Sequence, residues 1–297
     1  MSEVSKCGYV AIVGRPNVGK STLLNALIGK KISIISAKPQ TTRNQILGIK
    51  TQGETQIVFI DTPGLHHAEK RVMNRYMNRL ASSVILDADV VVFVVDIRRW
   101  TDEDELVLNK IADANAPVIL VMNKLDKLKD KKLALPLMER LKEKFSFAHI
   151  IPLSAKNTEN LESLEKTLMA MMPEGPHLFP DDQITDKNER FQIAEIIREK
   201  LIRATEQELP YSTTVVIESM KEENNLMTIN AVIWVEREGQ KPIVIGKNGD
   251  LLKHIGTVAR KEIVQLLGRK VFLRLWVKVK SDWTDDERAL GSLGFEP

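Results

Sequence analysis

The stretch Gly14-Arg15-Pro16-Asn17-Val18-Gly19-Lys20-Ser21 decides how this chain is read, because it fits the phosphate-loop pattern G-x-x-x-x-G-K-[ST] throughout. Before it, Tyr9 to Val13 is an apolar run that reads as a buried strand. After it, Leu23, Leu24 and Leu27 recur at helical spacing, so the loop opens a helix that ends near Gly29. In that setting Gly14 and Gly19 let the backbone turn its N–H groups onto phosphate oxygens. Lys20 supplies a point charge for the outer phosphates, Ser21 a hydroxyl for Mg²⁺, and the helix N-terminus a partial positive charge. The competing reading is an ordinary glycine-containing turn from strand to helix.

Working outward, the polar stretch Lys38 to Arg43 breaks periodicity and reads as an exposed loop. Ile46 to Ile49 and Thr55 to Ile60 form two strands, and the short connection at Gly53 makes them an antiparallel hairpin. Asp61-Thr62-Pro63-Gly64 ends the second strand, and His66 to Arg79 is polar and dotted with Met. Val90 to Val95 shows no polar alternation, the mark of a parallel strand buried on both faces. Pro117 to Met122 repeats that pattern and His149 to Leu153 follows it more weakly. Helical patterns lie between and after them, at Glu103 to Ala114 with Thr101 as N-cap, Leu133 to Lys144, and Leu161 to Met172. Met169, Met171 and Met172 read as core filler. The alternation of strand and helix predicts a mostly parallel, doubly wound α/β sheet.

Pro173, Gly175, Pro176 and Pro180 then interrupt the pattern, and a linker is expected around 173–185. We divide the chain into a first domain over 1–175, a linker over 176–190 and a second domain over 191–297. The second domain opens with a helix from Phe191 to Thr205, apolar at Ile193, Ile197 and Leu201. Strands at Thr213 to Met220 and Met227 to Glu236 follow, then Ile243-Val244-Ile245-Gly246-Lys247-Asn248-Gly249, a long amphipathic helix from Leu251 to about Leu267, and a strand from Val271 to Val279. Trp234 and Trp276 fall in strand patterns and are expected in the core. The tail after Ser281 is acidic.

Composition is that of an ordinary soluble protein, 43% hydrophobic and 28% charged over 297 residues, enough for two cores. A single cysteine, Cys7, excludes an intramolecular disulfide and fits a reducing cytoplasm. The N-terminus shows no basic segment followed by an apolar run, so no signal peptide is expected. Net charge is +3, but it is unevenly spread. Lys241 to Lys280 holds ten Lys/Arg against Asp250 and Glu262, a surplus of eight that leaves about −5 elsewhere. A basic C-terminal stretch points to an anionic partner, with a solvated helix face as the plain alternative.

The base is decided by Asn123-Lys124-Leu125-Asp126, which follows the Pro117–Met122 strand at the carboxyl end where open α/β sheets bind ligands. One carboxylate, Asp126, can accept both N1–H and N2–H of guanine, and adenine has no such pair of donors on that edge. Asn123 would tie this loop to the phosphate loop, and the Lys124 stem would cover the base plane. Ser154-Ala155-Lys156, after the next strand, offers a backbone N–H to guanine O6. Asp61 would reach Mg²⁺ through water and the Gly64 N–H would meet the γ-phosphate. Of Thr41 and Thr42, Thr42 is preferred as the residue completing the Mg²⁺ shell.

GRPNVGKS, PQTTRN, DTPGL, NKLD and SAK stand in the order seen in the bacterial Era GTPase family, and the chain resembles that family over nearly its whole length. The resemblance implies a GTP-hydrolysing factor with a smaller α+β, type II KH domain that binds 16S-type ribosomal RNA and assists maturation of the small ribosomal subunit. It carries nucleotide contacts onto Gly14, Asn17, Val18, Gly19, Lys20, Ser21 and Thr22, onto Asp61, Thr62, Pro63 and Gly64, and onto Asn123, Lys124, Asp126, Ser154, Ala155 and Lys156. Lys20, Thr42 and Gly64 are expected at the chemical step. The resemblance also implies a monomer in the cytoplasm, with peripheral attachment to the inner membrane as a secondary expectation.

Two departures bear on mechanism. The residue after Gly64 is Leu65, which cannot orient a water as the Gln of Ras-like enzymes does. Arg43 reads as an exposed loop cation rather than an arginine finger, and His66 and His67 as parts of a polar loop. Asn17 suggests a different answer, since GTPases of this class with Asn here can hold K⁺ against the phosphates. In the KH domain the G-x-x-G loop would clamp a single-stranded backbone. Ile245, Gly246, Lys247, Asn248, Gly249 and Lys253 are the expected RNA contacts, with Ile255 and Val258 lining a groove and Arg260 and Lys261 meeting phosphates. The alternatives are an RNA chaperone with GTP as a structural ligand, and a membrane-associated regulatory GTPase.

Overall fold

The computed structural model describes residues 4–36, 38, 41–64, 71–112, 114–205 and 212–294. The chain divides into two compact units, one of Met1–Ser33, Thr42–Glu69 and Asn74–Asp186, the other of Ile34–Thr41, Lys70–Met73 and Lys187–Pro297.

The first unit is built on a six-stranded sheet. Its strands are β1 (Lys6–Val13), β2 (Ile46–Gln52), β3 (Thr55–Asp61), β4 (Val90–Asp96), β5 (Val118–Asn123) and β6 (His149–Pro152). Their order is β2-β3-β1-β4-β5-β6, with β2 antiparallel to β3 and every other pair parallel. All seven residues of β4 are buried, as the unbroken Val90–Val95 run requires. Each such Val contributes about 1.5–3 kcal/mol of burial free energy, which fixes this strand at the centre. Helices α1 (Lys20–Ile28), α2 (Val72–Asp87), α3 (Asp102–Ile111), α4 (Ala134–Lys142) and α5 (Leu161–Met171) connect the strands. Side chains from α2, α3 and α4 share one core with β1, β4 and β5, among them Val84, Ile85, Val107, Leu108 and Ala134.

The sequence reading missed α2. Its Met77, Ala81, Val84 and Ile85 are buried at helical spacing. The Arg and Asn residues between them hid the period. The expected linker stretch is also less free than its prolines suggest. The Cys7 N–H bonds to the Pro173 carbonyl, the Ile49 N–H to Ile184, and Gln56 Oε1 accepts from the N–H groups of Leu178 and Phe179. Residues up to Asp186 thus run along the sheet of the first unit.

The second unit contains α6 (Glu189–Ala204), β7 (Thr213–Glu223), β8 (Leu226–Val235), α7 (Gln240–Ile245), α8 (Asp250–Leu267), β9 (Lys270–Val279) and α9 (Glu287–Ser292). Its sheet runs β7-β8-β9, with the first pair antiparallel and the second parallel. One face packs on the helices through Ile193, Ile197, Ile229, Ile233, Ile255 and Ile263. Two expectations fail here. Trp276 is 43% exposed and Trp234 only half-buried, because both stand on the sheet face turned away from that core. The buried tryptophan is Trp283, in the tail that reads as merely acidic, and its Nε1–H donates to the Ser212 carbonyl. Asp286 caps α9 in the same tail by accepting from the N–H groups of Arg288 and Ala289.

Candidate nucleotide site and nucleic-acid groove

The phosphate loop leaves β1 at the carboxyl edge of the sheet and enters α1 at Lys20. Gly19 has φ 105°, and a Cβ there would stand 2.3 Å from Asn123 Nδ2, so a side chain is excluded by conformation and by contact alike. The Asn123 Nδ2–H donates to the Val18 carbonyl at 2.8 Å. Its Oδ1 accepts from the N–H groups of Lys124 at 2.7 Å and Ala155 at 3.0 Å. One buried side chain therefore ties the phosphate loop, the NKLD turn and the SAK turn together. Ser154 Oγ donates to Asp126 Oδ1 at 2.7 Å and orients that carboxylate. Lys156 is exposed beside it.

Lys20 is buried and its Nζ donates to the carbonyls of Gly14 and Arg15. Burial lowers its pKa to about 8, with Asp61 opposing and Arg15 reinforcing the shift. Ser21 Oγ lies 2.8 Å from both Thr42 Oγ1 and Asp61 Oδ2. The three residues expected around Mg²⁺ are thus in mutual contact. Thr41 is not among them, since its hydroxyl donates to the Lys38 carbonyl. Asp61 is fully buried, and its Oδ1 has no hydrogen-bond partner among the described residues. Burial pushes this carboxyl up, against the pull of Lys20 and the hydroxyls of Ser21, Ser33 and Thr42. A buried carboxylate with an unsatisfied oxygen between two hydroxyls is a donor set suited to a hard divalent cation. Gly64 sits against Pro16, which brings the end of DTPG beside the phosphate loop. Thr62 is buried and donates to the Ile12 carbonyl, so it holds β3 to β1, and Pro63 after it is buried as well. Thr22 follows Ser21 on α1, half-buried. Asn17 is exposed at φ 63°. Arg43, expected as an exposed cation, is only 3% exposed. Leu65, His66 and His67, with Pro39 and Gln40, lie outside the described residues.

Three sets of supporting residues escaped the sequence reading. Asp96 ends β4, buried, and accepts from Arg98 Nε and Nη2 and from Lys124 Nζ. Burial alone would raise its carboxyl, but the bonds from Arg98 and Lys124 outweigh it and hold the group well below the usual range. Lys124 Nζ also donates to the Asn17 carbonyl at 2.7 Å, so Asp96 positions the side chain expected over the base. Asn25 Oδ1 accepts from the N–H groups of Ile32 and Ser33, and Ser33 Oγ donates to Asp61 Oδ2 at 3.0 Å. Arg15 pairs with Asp104 at 3.0 Å, both buried, and Asp104 also accepts from the Thr101 N–H at the start of α3. A polar residue closing an apolar strand at the ligand edge was the available signal for Asp96. The other two sets carry none, because their partners are far apart in sequence.

In the second unit α7 ends at Gly246, with φ 75°, where a Cβ would stand 2.6 Å from Leu251 Cβ. Lys247-Asn248-Gly249 makes one tight turn into α8, with Lys247 and Asn248 exposed. Beyond it lies a groove of about 410 Å³ between α8 and β9, lined by Gly249, Leu252, Lys253, Gly256, Arg260 and Phe272 among others. Ile255 is not a groove residue. It is fully buried in the core, because Leu252 and Gly256 hold the open side of α8. Ile245 and Val258 are half-buried and Lys261 is exposed.

Residues 9–124 match the family described as 50S ribosome-binding GTPase, and residues 208–284 match the KH domain family. The chain is 56% identical to GTPase Era of Marinobacter nauticus, over 98% of this chain and 95% of that protein. It is also 56% identical to GTPase Era of Haemophilus influenzae, over 97% and 96%. A crystal structure of Era with MgGDPNP and nucleotides 1506–1542 of 16S ribosomal RNA is 44% identical, covers 99% of this chain and all of that one, and superposes with a TM-score of 0.95. A point variant of Aquifex aeolicus Era bound to GDP and AlF4⁻ is equally similar, at 44% identity and a TM-score of 0.95 over 98% of this chain and all of that one.

Proposed function

This chain belongs to the Era family of GTPases, and from that premise we propose that it hydrolyses GTP while binding 16S-type ribosomal RNA through its KH domain, in support of small-subunit assembly. The observation that carries the nucleotide half is the meeting of Ser21, Thr42 and Asp61 beside buried Lys20. Ser21 and Thr42 would hold Mg²⁺ directly and Asp61 through water, and the ion would offset charge building on the phosphate oxygens. The loop amides from Gly14 to Thr22 and Lys20 bind the phosphates, Gly64 meets the γ-phosphate, and Asp126 reads guanine with Ser154 fixing its carboxylate. Leu65 gives no help to an attacking water, so intrinsic turnover is slow. Asn17, exposed on the phosphate loop, is the residue to hold a K⁺ that supplies the missing charge.

The RNA half rests on the glycine turn, the groove beside α8 and the cations Lys247, Lys253 and Arg260. The relative solved with nucleotides 1506–1542 directs the choice of RNA. We place the protein in the cytoplasm as a monomer. No helix among the described residues is long and apolar enough to cross a membrane, and any membrane contact would be peripheral.

Two measurements test this reading together. Lys20→Ala should abolish GTP turnover and weaken nucleotide binding while leaving RNA binding intact. RNA crosslinked to the protein in cells should map to Gly246–Gly249 and come from the small subunit. Recovery of large-subunit RNA alone, or loss of RNA binding in a folded Lys20→Ala protein, would contradict it.

A further inference from the structure

The turn between α7 and α8 carries a chemical feature that RNA binding does not require. Asn248 is followed by Gly249, and no other asparagine of the chain precedes a glycine. Such a pair can react without an enzyme. The nitrogen of the second residue reaches the side-chain amide carbon of the first, and glycine brings no Cβ to crowd the approach. The structure leaves this pair open to that attack. Asn248 is exposed, at φ 54° and ψ 21°. Its side-chain amide makes no hydrogen bond among the described residues, whereas those of Asn123 and Asn160 donate to the carbonyls of Val18 and Pro152. Nothing stands within 4 Å of the place a Gly249 Cβ would take. The Gly249 N–H makes one bond, to the Gly246 carbonyl at 3.2 Å, the long end of the ordinary range. Opening that bond frees the nitrogen. The surroundings favour the charge that forms, since the N-terminus of α8 at Asp250 and the neighbouring Lys247 both attract the negative charge that attack places on Asn248 Oδ1.

Resting on the reading that this turn clamps an RNA backbone, we propose that Asn248 is a site of spontaneous deamidation whose products disable the clamp. In the first step the Gly249 nitrogen bonds to Asn248 Cγ and the Cγ–Nδ2 bond breaks. The proton of the Gly249 N–H leaves with Nδ2 as ammonia, and a five-membered succinimide remains. Water then opens the ring, its hydroxyl going to one ring carbonyl and its proton returning to the Gly249 nitrogen. Opening at Cγ leaves an aspartate. Opening at the main-chain carbonyl leaves an isoaspartate, in which the chain runs through Cβ and Cγ and is one carbon longer. Either product carries a carboxylate where the RNA phosphates must pass. Lys247 balances Asp250 across the turn before the reaction, and one negative charge is left over after it. The isoaspartate also changes the spacing from Gly246 to Gly249, which sets how closely the strand is held.

The test ages the full-length protein for days at body temperature and mildly alkaline pH, with a fresh sample as baseline. Trypsin cuts after Lys247 and Lys253, so the pair is read by mass spectrometry on the peptide from Asn248 to Lys253. That peptide should gain one mass unit and separate into aspartyl and isoaspartyl forms. Asn224 and Asn225 are the internal controls, exposed and likewise at positive φ but followed by asparagine and leucine. Asn248 should react about tenfold faster than either. RNA binding is read by fluorescence anisotropy at fixed salt, on a synthetic RNA of nucleotides 1506–1542 of the 16S stretch bound by the Era relative. Binding should fall in step with the modified fraction, and Asn248→Asp should bind about tenfold more weakly than the fresh parent. Asn248→Gln, whose longer side chain closes a ring poorly, should keep on ageing whatever affinity it has when fresh. The proposal fails if Asn248 reacts no faster than Asn224 and Asn225, or if the modified protein binds RNA as the fresh protein does. It fails too if Asn248→Gln loses binding at the parent's rate. If the fresh parent binds no RNA, the RNA reading itself falls, and the mass measurement still decides whether Asn248 reacts.

Discussion

Asn123→Ala removes the side chain that joins the three turns of the nucleotide site. Asn123 is 3% exposed and makes three bonds, one donated to the Val18 carbonyl and two accepted from the N–H groups of Lys124 and Ala155. A typical hydrogen bond contributes about 1 kcal/mol net, and a buried partner left alone costs about 1–3 kcal/mol. Water entering the space left by the amide would satisfy part of this, so a total of about 3 kcal/mol is expected. That is survivable for a protein whose stability is of the usual order, about 5–15 kcal/mol. The loss falls on the arrangement of the phosphate loop against the base-reading turns, and about 1.5–3 kcal/mol of it should appear as weaker binding. Titration with fluorescent GDP and GTP should therefore show affinity falling about ten- to a hundredfold. Both nucleotides should be weakened equally, because Asn123 bonds to Val18, Lys124 and Ala155 and to none of the residues expected at Mg²⁺ or the γ-phosphate. Turnover at saturating GTP should change little. A variant that binds both nucleotides within about twofold of the parent would refute the argument. So would a loss confined to GTP, which would place Asn123 near the γ-phosphate instead.

Asp126→Asn should lose GTP and gain xanthosine triphosphate, whose edge presents an acceptor where guanine has an amine; unchanged GTP affinity in a competition titration would remove Asp126 from base reading. GTP turnover in KCl should exceed that in NaCl at equal ionic strength, and equal rates would remove K⁺ and Asn17 from the mechanism. Asp96→Asn should destabilise the protein in a pH-dependent way. The folded carboxyl is held low, so its stabilisation is present above its unfolded value of about 3.9 and is lost as pH falls below it. Urea unfolding should show a gap between parent and variant at about pH 7 that shrinks at about pH 3, and a gap of equal size at both would contradict the assignment. Ile263→Ala, in the core of the second unit, should cost about 2–5 kcal/mol and lower the thermal midpoint of that unit.

The parallel strands were legible because burial on both faces leaves no room for alternation, as in Val90 to Val95. The helix α2 was not, although its Met77, Ala81, Val84 and Ile85 obey a helical period. Arg75, Asn78 and Arg79 interleave with them and make the segment look polar when composition is weighed before spacing. The tryptophans fail for a related reason. Alternation in β9 shows that two faces exist, but not which one the helices cover. Only the register with β8 and the core on its odd-numbered side decide that Trp276 faces outward. Hydrophobicity alone places an aromatic strand residue in the core, and the cationic neighbours of Trp276 at alternate positions are the signal against that placement.

The nucleotide site divides along the same line. The residues expected to touch the ligand lie in sequence motifs, because a phosphate, a metal and a guanine edge each demand a particular donor set at a fixed spacing. Apart from Asn123, expected from NKLD to tie the base-reading turn to the phosphate loop, the residues that hold those in place lie in no motif, since any buried polar group of the right length can serve. Asp96, reaching Lys124, and Ser33, reaching Asp61, are the two examples. Their partners lie 28 residues away in each case, so no local pattern records them. The consequence is that loss of Ser33 should act on the site without any role in binding nucleotide. Its hydroxyl and that of Ser21 share Asp61 Oδ2, and the Asn25 side chain fixes the backbone that carries Ser33. Ser33→Ala removes one charge-assisted bond to a buried carboxylate, worth about 1.5–3 kcal/mol, and frees Asp61 to rotate. Mg²⁺ dependence of turnover should then shift to higher concentration while GDP affinity without Mg²⁺ stays the same. A variant with unchanged Mg²⁺ dependence would mean that Ser21 and Thr42 orient Asp61 without help.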